Sequence, residues 1–243
     1  MAKQRTPDGP PPPPAVQKLR VQYARRGRLR HSSTRDFGRA LERALRRSGV
    51  PMAYSAGFHP HPKISYANGA ATGAASEAEY FEISVTEQVD PAAVAVALDE
   101  ALPDGLDIIT VVEAQPGALA DRLQASRWQL AFPGVDPADL ERAVAGFLAE
   151  EVVEVERMFK RGMKSYDARG PVIRADTGVR EDGCAILTMV VRHTTPAVRP
   201  DDVLRAFAAV TSFAPPRSPI ATRLAQGVWS SETESVADPL AID

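Results

Sequence analysis

Residues 54–69, YSAGFHPHPKISYANG, gather the side chains best suited to chemistry: His59 and His61 two apart, Lys63 two further on, and Tyr66 close behind. Imidazole exchanges its proton near neutral pH, so a histidine can act as general acid or base, ligate a metal, or stack on a ring. Pro60 and Pro62 push the residues before them out of the helical region, so the run from Phe58 to Lys63 is expected to be extended and stiff, with its side chains displayed. In an extended segment His59 and His61 point to opposite faces, and no Asp, Glu or Cys stands near, so no metal site is expected there. A cation, two imidazoles and an aromatic ring suit unpaired RNA bases and their phosphates instead. His31 is a third candidate for proton transfer.

The second constellation is a row of arginines. On a helix beginning near Ser33, the residues Phe37, Leu41, Ala44, Leu45 and Ser48 fall on one side, with Arg35, Arg39, Arg43 and Arg46 opposite. Residues 18–50 hold eleven basic residues against Asp36 and Glu42, although the whole chain carries a formal net charge of only −2. Guanidinium groups match phosphate oxygens bidentately and stay charged, so a row of them one helical turn apart can follow a phosphate backbone. Residues 157–174 form a second basic stretch, in which Arg157, Lys160, Arg161, Lys164 and Arg169 interleave with Phe159 and Tyr166, as in an RNA-binding hairpin. The expected RNA contacts are Arg30, Arg35, Arg39, Arg43, Arg46, His59, His61, Lys63, Tyr66, Lys160, Arg161 and Lys164.

Elements that could position these groups follow from periodicity. KLRVQYA alternates Leu19, Val21 and Tyr23 with Lys18, Arg20 and Gln22, which predicts a half-buried strand with the latter three on its polar face. Ser33 and Asp36 predict a helix start, and Gly49 its stop. A short strand at about 64–67, the alternating EYFEISV, a helix opened by Asp90-Pro91 with Val94, Leu98 and Leu102, and LDIITVV complete a β-α-β-β-α-β order, that of a ferredoxin-like domain. The order repeats with WQLAF, a helix capped by Asp136, strands at about 151–159 and 184–192, a helix at 200–213 and PIATRLAQGVW. The expectation is an α+β chain of two tandem ferredoxin-like domains, at 17–115 and 127–229. A disordered proline-rich tail is expected at 1–16, and a disordered acidic one at 230–243.

Other chemistries are excluded or unsupported. The single cysteine, Cys184, read as a core residue with Met189, rules out disulfides and cysteine-ligated clusters within the chain. NGAATGAASEAEY, residues 68–80, reads as a small, flexible connection lacking the lysine and spacing of a phosphate-binding loop. Glu77 and Glu79 give no specific argument for paired acid–base work. Trp128 and Trp229 read as packing anchors. With no hydrophobic segment of membrane-spanning length, the chain is expected to be soluble and cytoplasmic, without a cofactor and with no membrane partner.

The run RHSSTRDFGRALERALRRSGVPMAYSAGFHPHPKISYANGAATGAASEAEYFEI resembles the signature region of the bacterial radical-SAM-linked proteins of uncharacterised function. The resemblance is strongest over residues 17–115 and continues to IATRLAQG. It implies a partner of radical SAM chemistry, since similar domains occur fused behind such enzymes or as separate small proteins. Where that family commonly has Ser-His-x-Asp, this chain reads Ser33-Thr34-Arg35-Asp36. A radical SAM cluster needs three cysteines, so the chain is not itself such an enzyme. The expected function is a non-catalytic RNA-binding module in RNA maturation or modification, partnered by a radical SAM or RNA-processing enzyme. Two alternatives stand beside it. One is a metal-independent ribonuclease using His31, His59 or His61, since the expected architecture is similar to that of endoribonucleases that process CRISPR transcripts. The other is an adaptor whose basic face docks an acidic protein.

Overall fold

The computed structural model describes residues 11–160 and 162–241, so Arg161 and the first ten residues of the proline-rich tail lie outside the described residues. The chain is α+β and divides into two compact units, the first ending at Ala120 and the second running from Asp121 to Ala241.

In the first unit β1 (Gln17–Arg25), α1 (Thr34–Arg47), β2 (Ile64–Ala67), β3 (Ala75–Val85), α2 (Pro91–Ala101) and β4 (Leu106–Glu113) follow in order. The sheet runs β4-β1-β3-β2 with antiparallel pairings, leaving the short β2 at the outer side of β3. Leu19, Val21 and Tyr23 of β1 and Phe81, Ile83 and Val85 of β3 meet Phe37, Leu41, Ala44 and Leu45 of α1 and Val94 and Leu98 of α2 in one apolar core. Helix α1 begins where expected, because Ser33 Oγ accepts from the Asp36 amide (3.2 Å) while Asp36 Oδ2 accepts back from Ser33. These bonds, with help from Arg39 and Arg35, hold the Asp36 carboxyl below its ordinary pKa.

Two local expectations are corrected here. Arg20, placed on the polar face of β1, is fully buried: it pairs with Glu82 directly across the sheet (3.0 Å) and donates to the Gly117 carbonyl (2.6 Å). Charge alone suggested solvent, but a cross-strand carboxylate and a covering carbonyl satisfy the guanidinium within the protein. The segment 68–80 is not a loose connection, since β3 begins at Ala75 and the turn before it is pinned by Arg25, as described below.

The second unit contains β5 (Ala125–Phe132), α3 (Pro137–Ala149), β6 (Glu154–Phe159), β7 (Gly162–Asp167), β8 (Val172–Val179), β9 (Ala185–Arg192), α4 (Pro200–Thr211) and β10 (Ile220–Gly227). Its sheet runs β10-β5-β9-β8, again antiparallel. The strand expected at 151–159 is not the partner of β9; it pairs with β7 in a separate hairpin, and β8 takes the place beside β9. The hairpin closes at Gly162, which holds φ +108°, a conformation open to glycine. Gly146 of α3 lets α4 approach closely, because a Cβ there would lie 2.5 Å from Thr211 Cγ2.

The acidic segment after Trp229 is ordered through Ala241, contrary to expectation. β11 (Trp229–Ser230) pairs with β12 (Ser235–Val236), Leu240 is buried, and the Ala237 amide donates to the Val228 carbonyl. One apolar leucine and a backbone packed against Gly227 overcome a polar composition. Met189 is a core residue, but Cys184 is half-buried because it precedes β9 at the turn. Trp128 is buried under the Arg223 guanidinium, whose carbon lies 5.5 Å from its ring. No described helix is long and apolar enough to cross a membrane.

Candidate nucleic-acid interface

Helix α1 turns its apolar side to the core, and that burial fixes where its arginines go. Arg35, Arg39, Arg43 and Arg46 are all exposed. None of the four has a carboxylate within ion-pairing distance among the described residues, whereas Arg20, Arg26, Arg157, Arg174, Arg180 and Arg205 are each bonded to one. Arg47, at the end of the same helix, donates to the Ala101 carbonyl and belongs to the α1–α2 contact instead. Arg30 is half-buried; its Nε donates to His31 Nε2 (3.1 Å) in a short 3-10 turn, Gly27–His31.

The proline-stiffened loop forms a small closed structure. Tyr54 bridges to Pro62, the Ser55 amide donates to the His61 carbonyl (2.9 Å), and the His61 amide donates to Ser55 Oγ (3.0 Å). These bonds leave His59, His61 and Lys63 at the surface and lift Phe58 to the tip, where it is 62% exposed. Tyr54 and Tyr66 are exposed as well. Tyr66 stands on β2 with its ring edge-on to Phe37 of α1, and Gly38 leaves room for its hydroxyl. Burial of that phenol and the charge of Glu42 raise its pKa above the ordinary value.

The turn that follows is held by two buried charged side chains, each bonded to its backbone. Arg25 continues the inward row of β1, and Glu79 lies on the facing strand; they are 4% and 1% exposed. Arg25 Nη2 donates to the carbonyls of Ala70, Ala71 and Ala74, and the Glu79 carboxylate accepts from the Ala70 amide. The Gly73 amide in turn donates to the Arg30 carbonyl, which sets the turn beside His31.

The first unit thus gathers α1, the 54–66 segment and the turn at 68–74. No hydrogen bond among the described residues joins His31 to His59 or His61. No cluster of three or more metal-ligating side chains is found among the described residues. In the second basic stretch, Lys160 and Lys164 are exposed, with the Lys164 ammonium 5.6 Å from the Phe159 ring centre. Arg157 is committed to structure: it stacks on Phe159 and Tyr166 and bonds the fully buried Asp202 (2.5 Å). Arg169 donates to the Val172 carbonyl and lies over Phe147.

Sequence reasoning missed three features. Phe58 and Tyr54 lie within the very loop it singled out, and aromatic rings in a proline-stiffened turn were the available signal. Arg25 extends the Leu19-Val21-Tyr23 alternation, so its inward direction was readable. His193 had no signal: it bonds Ser126 Oγ (2.7 Å) and the Leu123 carbonyl (2.8 Å), and burial lowers its pKa.

These features define an α+β protein whose first unit joins a cationic helix to a rigid aromatic loop. The chain belongs to a bacterial family: the model described as uncharacterized protein conserved in bacteria (DUF2344) matches residues 18–200. A search of curated proteins found no match.

Proposed function

We propose that the protein binds single-stranded RNA through its first unit and serves as a recognition or accessory module in RNA maturation or modification. The observation that carries this reading is the row of four exposed α1 arginines without carboxylate partners among the described residues, in contrast to the ion-paired Arg20, Arg26, Arg142, Arg157, Arg174, Arg180 and Arg205. An unpaired guanidinium row favours phosphate, and Phe58, Tyr54 and Tyr66 supply ring faces on which unstacked bases can lie. Lys63, His59 and His61 add donors beside the rings, and the second unit has exposed cations of its own in Lys160 and Lys164. The strand orders β4-β1-β3-β2 and β10-β5-β9-β8 support reading both units as ferredoxin-like domains, the second with the β6–β7 hairpin inserted. The resemblance to radical-SAM-linked proteins supports a radical SAM enzyme as the catalytic partner.

The test is crosslinking of the tagged protein in its native cells, with sequencing of bound RNA and identification of co-purified proteins. Enriched RNA that is lost with Arg39→Glu, Arg43→Glu and Arg46→Glu supports the proposal. Recovery of an acidic protein and no RNA overturns it in favour of the adaptor. RNA that is cleaved by the purified protein, with cleavage lost on His31→Ala, His59→Ala or His61→Ala, moves the ribonuclease reading to first place.

A further inference from the structure

Helix α2 has no polar outer side until its last turn, because its opening residues, PAAVAVAL, are all apolar. Val94 and Leu98 face the core, yet Ala92, Ala93 and Val96 are exposed, Val96 by 60%. The other helices differ: α1 turns its arginines to solvent, α3 turns Asp139, Glu141 and Arg142, and α4 turns Asp201 and Arg205. A helix that is apolar on both sides belongs between two packed layers, and the outer side of α2 is open. Beside this ridge runs an open groove of about 800 Å³, with Ala40, Arg43 and Arg47 on its α1 side and Ala97, Glu100 and Ala101 on its α2 side.

Charge restricts the occupant. Arg43 and Arg47 are exposed on one rim and Glu100 on the other, and no ion pair joins them across the groove among the described residues. Arg47 gives one N–H to the Ala101 carbonyl, which leaves the rest of its guanidinium fork available. A nucleic-acid strand would set phosphates against Glu100 and an apolar floor, and a purely acidic helix would meet Glu100 with like charge. The groove calls for an apolar ridge flanked by charges of both signs. The same face supplies one: Ala93 and Val96 form the ridge, Glu100 follows one turn on, and the α1 arginines stand alongside. Two copies related by a twofold axis place each ridge in the other's groove, because in such a pairing residue i meets j wherever j meets i.

We infer that the protein pairs with a second copy of itself through α1 and α2, with Val96 of each copy seated in the other's groove and Glu100 of each beside Arg47 of the other. The inference stands apart from RNA binding and does not rest on it. With 14 residues in α1 and 11 in α2, the two-helix face measures roughly 20 Å by 20 Å, at the low end of stable interfaces. Association in the micromolar range is expected.

The test is sedimentation velocity of the intact protein, without RNA, from about 1 µM to about 500 µM. The unaltered chain is expected to pass from monomer to dimer across that range. Val96→Asp puts a carboxylate on the ridge, while Arg47→Glu and Glu100→Arg each set two like-charge pairs across the interface. Each of the three therefore weakens pairing about tenfold or more. Mixing the Arg47→Glu protein with the Glu100→Arg protein restores a dimer, since both contacts of the mixed pair then join opposite charges. A substitution that merely damages the fold is not rescued by mixing. A monomer at the highest concentration overturns the inference, as does a dimer that survives Val96→Asp or either charge reversal unchanged. Loss of pairing in both charge variants that mixing fails to restore overturns it as well.

Discussion

Replacing Arg39, Arg43 and Arg46 by glutamate probes the cationic face with little expected harm to the fold, because all three side chains are exposed on α1 and free of ion pairs among the described residues. From Arg35 to Arg43 the row advances about 6 Å per four residues, a step that successive phosphates of an extended single strand can match. Each phosphate neutralised on a single strand contributes roughly 0.7 to the slope of log K against log salt, so the four arginines supply a slope near −2.8. Raising salt from 50 to 200 mM then weakens binding about 50-fold through α1 alone. The triple variant removes about 2 from that slope and adds repulsion, so at 50 mM salt the loss exceeds a hundredfold. Anisotropy titrations of a labelled 15-mer at several salt concentrations measure both quantities. Thermal unfolding supplies the control, and no loss of helix is expected, since the carboxylate that Arg39→Glu introduces lies one turn from Arg35 and forms an i,i+4 pair of opposite charge with it. A folded triple variant with the original affinity and slope refutes the reasoning and makes the arginine row an ordinary solvated face.

Further outcomes follow from the same structure. Phe58→Ser leaves the melting temperature within error, as the ring is 62% exposed, but weakens single-stranded RNA binding by about 1–3 kcal/mol if a base stacks on it, measurable by the same titration. Arg25→Ala leaves the carbonyls of Ala70, Ala71 and Ala74 without the donor that holds the turn, so urea unfolding should show a loss of about 1–3 kcal/mol. His193 has a folded pKa below its unfolded value because of burial and the Arg223 charge. Below about pH 6.5 the unfolded chain therefore binds a proton that the folded chain resists. Stability attributable to this group falls as pH drops through that value until the folded pKa is reached, and His193→Gln should flatten that part of a pH–stability curve.

Much of the first unit was legible because its elements obey local rules. The Ser33/Asp36 box and Gly49 bracket α1, the two-residue alternation marks β1 and β3, and Asp90-Pro91 opens α2. Long-range pairing was not legible. Arg20 looked solvent-bound because its partners, Glu82 and Gly117, lie far along the chain. Likewise β6 carried a strand pattern, but nothing local said that its partner would be β7 and not β9. The acidic C-terminal segment looked unstructured because its order depends on a backbone contact at Gly227 and the burial of Leu240, neither of which composition records. At the candidate interface, the type and spacing of the arginines and of the proline-flanked histidines were visible, whereas the turn held by Arg25 and Glu79 required the fold.

The most direct measurement is ultraviolet crosslinking of the purified protein to single-stranded RNA, followed by mass spectrometry of the crosslinked peptides. The account predicts crosslinks concentrated in peptides covering 34–47 and 54–69, with Phe58 and Tyr66 among the modified residues. Efficient crosslinking confined to other segments, or none at RNA concentrations that saturate a known RNA-binding protein, contradicts it.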